Sequence, residues 1–440
     1  MSQTKIVKFG GTSLSCAENI RRCANIVKAE PARRYVVVSA PGKRTAKDTK
    51  ITDMLYNCYE AYSENATLGD EIFAKISARF EEIAAELGVN LDMSGILADV
   101  KTSFRLRLGR DYAASRGEYL NARIIAAYLG FDFIDAADVI FFTEDGKFDA
   151  EKTNNLLRNR LKSHQNAVIP GFYGSMPNDT IRTFSRGGSD VTGSIVARAA
   201  EACLYENWTD VDGFLMADPR IVDNPKIISS LTYRELRELA YMGATVLHED
   251  SILPARFAGV PINIRNTLNT SAPGTIISSH CQTTSPITGI TGKRGFAAIA
   301  VESDGMNVEI GFVRRFLSVL EEHRISLEHM PTGIDSMTAV VAKDSIAPIR
   351  EKLMADICRA VNPESVRITD GLALISVVGN GMRSSPGMAG RIFNALAKAK
   401  INTRLINQET NEISIIIGVD EADFENTIRA IYAEFEGEPK

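Results

Sequence analysis

Several patterns that mark common classes of protein are absent from these 440 residues. The six cysteines (16, 23, 58, 203, 281 and 358) form no C-x-x-C pair, and the five histidines are equally dispersed. This spacing argues against a structural zinc site and against any histidine-based metal site, and it predicts reduced thiols in a cytoplasmic protein. No apolar run approaches the roughly 18 residues of a transmembrane helix, and no signal-peptide pattern is present.

Charge and nucleotide motifs exclude further classes. The formal net charge of −5 gives no electrostatic reason to bind nucleic acid or an anionic membrane. The phosphate-binding pattern G-x-x-x-x-G-K-[ST] and the dinucleotide pattern G-x-G-x-x-G are both missing. The chain is too long to fold around a single hydrophobic core, so we expect a globular protein of two or three domains.

The first 280 residues alternate between strand and helix patterns. The segment "RYVVVSAPG" is typical of a buried parallel strand that ends in a turn, and "GEYLNARIIAAYLGF" of a helix closed by Gly130. This alternation predicts an α/β sandwich around a mostly parallel sheet. The amphipathic stretch from about 63 to 110 carries no motif, and we interpret it as a helical insertion beside the sheet.

The remaining residues contain an internal repeat. Gly381 follows Gly305 by 76 residues, and the same offset relates Gly311 to Gly387 and several apolar positions. Each copy reads as strand, loop, helix, strand, strand and helix, the order of a small ferredoxin-like unit. We therefore expect two such modules, at 295–370 and 371–440, joined to the first domain by a Ser/Thr/Gly-rich segment.

The opening segment "IVKFGGTSLSCAE" places Lys8 just ahead of a pair of glycines, at the end of a predicted strand. Ser15 and Glu18 form a capping box, so a helix begins there. A strand, a glycine turn and a helix N-terminus together form a cradle for an anion. A tight turn with a solvated lysine is the alternative interpretation.

Three other motifs carry candidate functional groups. In "SRGGSD", Arg186 offers a fork for carboxylate or phosphate, while Asp190 stands where a helix cap is equally suitable. In "WTDVDGFLMADPR", clustered carboxylates could hold magnesium or a ribose, or form a solvated turn. In "SRGEYLNA", Glu118 is expected near a helix start, where a carboxylate also suits the helix dipole.

Taken together and in this order, these motifs resemble the signatures of the aspartokinases. The resemblance covers essentially the whole chain and includes "KFGGTS", "RGGSD", "TDVDG", "DPR" and "ELAYMGATVLHEDSILPA". It implies an amino-acid-kinase-type three-layer sandwich around a mainly parallel sheet in residues 1–280, followed by two ferredoxin-like ACT modules. It also implies transfer of the γ-phosphoryl group of ATP to the β-carboxylate of L-aspartate, the first step toward lysine, threonine and methionine.

The resemblance further implies roles for individual residues. Lys8 and Asp190 would be catalytic, with Asp190 orienting Lys8 or holding a water bound to the Mg²⁺ that accompanies ATP, and no metal site of the protein's own is expected. Glu118 would receive the aspartate ammonium and Arg186 would clamp a carboxylate. The residues implied at the ATP site are Lys8, Phe9, Gly10, Gly11, Thr209, Asp210, Leu215 and Arg220. Those implied at the aspartate site are Ser39, Thr52, Glu118, Arg186, Gly187, Gly188 and Ser189.

Two positions depart from the family pattern. Ser185 stands where a glycine more often precedes the arginine, so the backbone of that loop could differ. Leu268 stands where some relatives place a lysine on ATP, which leaves that contact unassigned, with Arg265 as a weak candidate.

The ACT modules imply feedback inhibition by an amino acid. The single-chain length and the helical insertion resemble those of lysine-sensitive monofunctional aspartokinases, which implies lysine rather than threonine. The implied effector residues are Met306, Glu309, Phe312, Val313 and Glu328, although Met306 and Phe312 are equally suitable as core residues. Such modules generally pair between chains, so a homodimer or homotetramer is expected. Two other functions remain open at this point: a catalytically inactive amino-acid sensor, and a kinase acting on a different amino-acid carboxylate.

Overall fold

The computed structural model describes residues 3–185, 187–243, 247, 249–281, 285–408 and 410–437. The chain divides into two compact units. The first comprises Met1–Phe214, Ile227–Tyr233 and Val246–Cys281, and the second comprises Leu215–Lys226, Arg234–Thr245 and Gln282–Lys440. Two short segments that the sequence analysis placed in the 1–280 domain therefore pack with the second unit. None of the helices in the described residues is long and apolar enough to cross a membrane.

The strands and helices alternate through the first unit as the sequence pattern predicts. The strands of the described residues are β1 (Lys5–Phe9), β2 (Arg33–Val38), β3 (Asp132–Phe133), β4 (Ala167–Pro170), β5 (Tyr173–Ser175), β6 (Ile181–Thr183), β7 (Leu204–Thr209), β8 (Ser230–Thr232), β9 (Ile262–Asn266), β10 (Thr275–Ser278), β11 (Gly289–Glu302), β12 (Leu327–His329), β13 (Ser336–Ala342), β14 (Ser365–Val378), β15 (Thr403–Gln408) and β16 (Ser414–Asp420).

The α-helices follow the same order along the chain. Those of the described residues are α1 (Ala17–Lys28), α2 (Ile51–Glu64), α3 (Ala66–Leu87), α4 (Met93–Arg105), α5 (Arg110–Leu129), α6 (Ala150–Lys162), α7 (Gly188–Ala199), α8 (Tyr233–Tyr241), α9 (Leu253–Phe257), α10 (Phe312–Glu322), α11 (Lys343–Ile346), α12 (Arg350–Val361), α13 (Met388–Lys398) and α14 (Phe424–Phe435). The motif-free stretch at 63–110 is helical, as expected, and α3 and α4 account for most of it.

The first unit is built on an eight-stranded sheet in the order β3-β4-β2-β1-β7-β9-β10-β8. Its described pairings are parallel except the one between β9 and β10. Val7, Phe9 and Trp208 pack on one face in a core shared with α1 through α5. Alternate residues of the same strands point to the other face, which α7 covers. This is the predicted three-layer sandwich around a mainly parallel sheet.

A buried ion pair ties the strands of this sheet together on the α1 side. Arg33 donates from Nε to Glu206 Oε2 at 2.7 Å, and from Nη2 to Oε1 at 3.1 Å. Trp208 also donates to Glu206, at 3.0 Å. Glu206 is 1% exposed and Arg33 is 8% exposed, so neither charge has bulk water to replace its partner. The pair joins β2 to β7 across the intervening strand β1, through side chains that would be unfavourable to bury without each other.

The second unit is one six-stranded antiparallel sheet in the order β12-β13-β11-β14-β16-β15. Its two long strands, β11 and β14, pair along almost their whole length. The end of β11, β12, β13 and the start of β14 form one ferredoxin-like module, and the end of β14, β15, β16 and the start of β11 form the second. The fourth strand of the second module therefore comes from residues 289–293, ahead of the first module in sequence.

The Arg33–Glu206 pair yields a stability prediction. We expect Glu206→Leu to destabilise the first unit by about 3 kcal/mol, because it leaves the buried Arg33 guanidinium with only the partly exposed Glu30 carboxylate, 3.3 Å away, as counter-charge. Thermal and denaturant unfolding would measure this. Adding Arg33→Met to Glu206→Leu should recover most of the lost free energy of unfolding. Equal instability of the single and double variants would contradict the argument.

Candidate active site

The candidate site is centred on the ammonium group of Lys8. Parallel pairing of β1 with β7 sets Lys8 beside Asn207, so both side chains point to the α7 side of the sheet. Asp190 lies in the first turn of α7. The Lys8 Nζ atom is 2.5 Å from Asp190 Oδ1 and 3.4 Å from Asn207 Oδ1. Lys8 is only 7% exposed, so the carboxylate compensates a charge that burial would otherwise make unfavourable.

The start of α7 is held in place by the same strand. Tyr205, two residues before Asn207 on β7, donates its hydroxyl to the backbone carbonyl of Asp190 at 3.3 Å. Helix α7 approaches this closely because Gly193 has no side chain: a Cβ there would lie 2.4 Å from the Tyr205 hydroxyl. Gly187 caps the helix at φ = 56°, in the left-handed region that favours glycine. Asp190 is therefore positioned through both its backbone and its side chain.

The glycine turn after β1 packs backbone against backbone. The N–H of Gly10 donates to the carbonyl of Trp208 at 3.1 Å, and that of Gly42 donates to the carbonyl of Gly11 at 2.8 Å. A Cβ on Gly42 would lie 2.6 Å from the carbonyl carbon of Gly11, so only glycine fits at position 42. The Phe9 side chain lies in the core on the opposite face, 1% exposed. Only the backbone of Phe9 is therefore available to a ligand at this turn.

A second polar cluster lies where β2 ends. The peptide group between Ser39 and Ala40 is held at both ends by α5, because Glu118 accepts from the Ala40 N–H and Asn121 donates to the Ser39 carbonyl at 2.7 Å. Glu118 Oε2 and Asn121 Oδ1 are buried and have no hydrogen-bond partner within the described residues. Burial raises the pKa of the Glu118 carboxyl to about 8. Such a group suits a ligand that brings its own cation.

The other residues implied at the aspartate site are distributed as follows. Thr52 is the second residue of α2 and is partly buried, and Ser39 directly follows β2 with its N–H on the Phe9 carbonyl at 3.2 Å. Ser189 is 8% exposed in the first turn of α7, next to Gly188. Arg186 lies outside the described residues, so its predicted carboxylate contact has no geometry here.

The loops after β7 and β9 interlock beside the glycine turn. The carbonyl of Thr209 accepts from both the N–H and the hydroxyl of Thr267, at 2.9 and 3.0 Å. The Thr267 hydroxyl also lies 2.9 Å from that of Ser13. A small pocket opens here, lined by Thr12, Ser13, Asn19, Arg22, Asp210, Thr267 and Leu268. The implied nucleotide residue Asp210 is thus brought to the loop that follows Gly10 and Gly11.

Arg265, the weak candidate for the missing lysine contact, is engaged elsewhere. Its guanidinium stacks 4.4 Å from the Trp208 ring centroid and donates to the carbonyls of Thr270 and Ala272 at 2.7 and 3.3 Å. These contacts fix the loop after β9. Leu268 itself is 65% exposed at the pocket and offers no charge.

Two of the implied nucleotide residues, Leu215 and Arg220, belong to the second compact unit. The Arg220 side chain is 88% exposed and pairs with Asp218 at 2.6 Å. The geometry of the site in the first unit is therefore described without these two residues.

The implied effector residues lie in the first ferredoxin-like module of the second unit. Met306 and Phe312 are 5% and 1% exposed and belong to the module's core, as the alternative interpretation of these residues held. Val313 packs against that core. Glu309 is exposed and pairs with Arg315, and Glu328 accepts from the Tyr241 hydroxyl at 2.6 Å.

Sequence reasoning missed Asn207, Asn121 and Asp335. The carboxylate of Asp335 accepts from the N–H of Gly305 at 2.9 Å and so shapes the loop that contains Glu309. A weak signal was available for Asn207, since two polar residues, Glu206 and Asn207, stand between the hydrophobic and aromatic residues of the strand "LYENWT". Nothing in the sequence pairs Asn121 with a peptide 82 residues away.

Comparison with known proteins identifies the family of this chain. The family model of the amino acid kinase family matches residues 3–266, and an ACT domain model matches residues 375–435. Aspartokinase 3 of Bacillus subtilis (strain 168) is 39% identical, over 98% of each chain. Aspartokinase 1, chloroplastic, of Arabidopsis thaliana is 31% identical, over 98% of this chain and 80% of the relative. The crystal structure of Clostridium acetobutylicum aspartate kinase is 47% identical, with a TM-score of 0.90 over 98% of this chain and 99% of that one.

The mainly parallel three-layer sandwich that matches the amino acid kinase family, and the ACT domain that follows it in the same chain, define the class: an amino acid kinase with a regulatory domain. Within that class, the chain belongs to the aspartokinases. Its activity is that of an aspartate kinase, as the resemblance of its motifs implied.

Proposed function

We propose that this aspartate kinase transfers the γ-phosphoryl group of ATP to the β-carboxylate of L-aspartate, as the first step toward lysine, threonine and methionine, with Lys8 and Asp190 as its catalytic residues. The observation that carries these roles is the 2.5 Å contact between Lys8 Nζ and Asp190 Oδ1 beside the turn of Gly10 and Gly11. The proposal is supported by one preorganised cation beside a turn whose backbone N–H groups, other than the Gly10 N–H that donates to the Trp208 carbonyl, suit phosphate.

The reaction needs charge neutralisation more than it needs a base. A carboxylate nucleophile is ionised at neutral pH, because its pKa is near 4. The two anions must still be brought together while phosphoryl passes between them, and Lys8 supplies the positive charge. Asp190 Oδ1 is occupied by Lys8, whereas Oδ2 has no hydrogen-bond partner within the described residues. That free oxygen fits a water of the Mg²⁺ that arrives with ATP.

The aspartate pocket is proposed to form at the junction of β2, α2, α5 and the start of α7, from Ser39, Thr52, Glu118, Ser189 and the loop around Arg186. Glu118 offers a buried oxygen without a partner, as an ammonium group requires. Arg186 would bind a carboxylate of the substrate by its fork of donors. An analogue that lacks one of these charges would leave a buried ion unpaired, at several kcal/mol.

The catalytic role of Lys8 is tested by Lys8→Ala. We expect turnover to fall by at least about 100-fold, since one preorganised charge at a transition state is worth on the order of 100–1,000-fold in rate. Hydroxylamine trapping of the acyl phosphate, with ATP, magnesium and L-aspartate, measures it. Circular dichroism checks the fold, and near-normal turnover would remove Lys8 from the mechanism. Lys5→Ala, three residues earlier on the same strand, is the control.

The Glu118 carboxyl predicts a pH dependence of aspartate binding. Below its pKa of about 8 the empty site holds a proton, which an incoming ammonium must displace. The KM for aspartate should therefore rise as the pH falls, by up to about tenfold per pH unit below the pKa. Steady-state kinetics between about pH 6 and pH 9 measure this. Glu118→Gln should show a high KM with no such slope, and a wild-type KM that is flat across this range would contradict the assignment.

Feedback regulation is proposed to act through the ACT modules, with L-lysine as the inhibitor and Glu309 and Glu328 as its ligands. The 47% identical Clostridium relative is described as an allosteric enzyme. We also propose that the modules pair between chains in a homodimer or homotetramer. Val308 and Ile310 flank Glu309 and are 77% and 97% exposed, an unusual exposure for apolar residues that a second subunit would relieve.

Lysine sensitivity gives a direct test of this regulation. We expect L-lysine to suppress turnover, and Glu309→Gln to weaken that inhibition at least about tenfold while the KM for aspartate stays unchanged, because the effector and Arg315 lose a counter-charge and the proposed aspartate site does not. Glu321→Gln, an exposed carboxylate on α10, is the matched control. If turnover is insensitive to lysine but suppressed by threonine, the inhibitor is threonine, and the assignment of the kinase activity is unaffected.

A further inference from the structure

We infer that Asn207 is a positioning residue for the phosphoryl transfer: its carboxamide holds Asp190 and Lys8 in the one arrangement that leaves the second oxygen of Asp190 free. This inference rests on the proposed roles of Lys8 and Asp190. Asn207 donates from Nδ2 to Asp190 Oδ1 at 2.8 Å and lies with its Oδ1 3.4 Å from Lys8 Nζ. It thus contacts both groups that carry the proposed chemistry.

The orientation of the carboxamide follows from charge. An amide can present either its oxygen or its NH₂ group to a given neighbour, and the hydrogen-bond partners decide which. Turning the Asn207 side chain over would set its oxygen against the Asp190 carboxylate and its NH₂ group against the Lys8 ammonium. Both contacts would be repulsive. An asparagine can therefore accept a hydrogen bond from Lys8 and donate one to Asp190 at the same time. Neither an aspartate carboxylate nor a lysine ammonium can do both.

The carboxamide also decides how Asp190 is used. Lys8 and Asn207 both bond Oδ1 of Asp190, at 2.5 and 2.8 Å. With two donors on one oxygen, the carboxylate does not rotate to give both oxygens to Lys8. Oδ2 consequently stays available on the ligand side, and the Asp190 side chain is still 18% exposed. Without Asn207, a bidentate Lys8–Asp190 pair would leave neither oxygen of Asp190 free.

The fold itself gives little reason for an amide at this position. Asn207 is 4% exposed in a central parallel strand, where burial favours an apolar side chain. Its sheet neighbours pair through backbone groups, and its register partner on β9 is the apolar Ile264. The charged groups that face residue 207 are Lys8 from β1 and Asp190 from α7. A polar residue in such a place is explained by the two groups it contacts.

The test uses two substitutions in the full chain, Asn207→Leu and Asn207→Asp. Leucine keeps the volume and removes both polar contacts, and aspartate keeps the shape and removes the donor. We expect both variants to lose at least about tenfold in kcat while the KM values for aspartate and ATP change less than about threefold, because the lost interaction acts on the reacting charges. A role confined to the fold would lower thermal stability without this split.

A pH profile gives a second readout. Burial and the adjacent Asp190 carboxylate would raise the pKa of the carboxyl introduced by Asn207→Asp. Its protonation restores a donor toward Asp190, so the kcat of this variant should rise relative to Asn207→Leu as the pH falls from about 8 to about 6. Since both variants share every other titrating group, their ratio isolates the side chain at position 207. The nearly isosteric aspartate variant also keeps the test valid if Asn207→Leu does not fold.

Asn263→Leu is the matched control. It removes a buried amide from neighbouring β9, 8% exposed, whose donor bonds the Pro273 carbonyl and not Lys8 or Asp190. It should lose stability but keep its kcat. A kcat near wild type in both Asn207 variants, a change confined to KM, or an equal loss in Asn263→Leu would overturn the inference. If Lys8→Ala and Asp190→Asn remained active, the proposed site roles would fail instead, so the two failures are distinguishable.

Discussion

The structure of the first unit depends on burying a lysine ammonium in the central strand of a parallel sheet. Lys8 is 7% exposed, so its charge must be matched from within the protein. The match comes from Asp190 at the start of α7, which β7 holds through Tyr205 and Asn207. This single requirement fixes the register of β1 and β7, the approach of α7 and the absence of a side chain at Gly193.

The two faces of the same strands separate stability from chemistry. On the α1 side, Glu206 and Arg33 form a closed pair whose oxygens and nitrogens are occupied by protein groups. Asn207 follows Glu206 on β7 and points to the opposite face, the α7 side, as does Lys8 on β1. Together they leave one oxygen of Asp190 without a partner. Because side chains alternate along a strand, neighbouring residues of one segment serve the core and the candidate site without sharing contacts.

The second unit shows how a duplicated sequence becomes one sheet. Strands β11 and β14 each run through both modules, and the second module takes its fourth strand from residues 289–293, outside its own repeat. A change in one module is therefore carried by continuous backbone into the other. The ACT family model matches residues 375–435, in the second module, while the proposed effector residues lie in the first.

The sequence by itself determined the fold class, the duplication and the family, because strand and helix periodicity and the spacing of "KFGGTS", "RGGSD" and "TDVDG" are local properties of the chain. It also indicated Lys8, Asp190 and Glu118 as candidate site residues. Only the tertiary structure decided that Asn207 lies between Lys8 and Asp190, that Asn121 and Glu118 hold the same peptide, and that residues 289–293 complete the second module. Those contacts join residues far apart in sequence, and the register of strands and the approach of helices that create them arise only when the whole sheet is assembled.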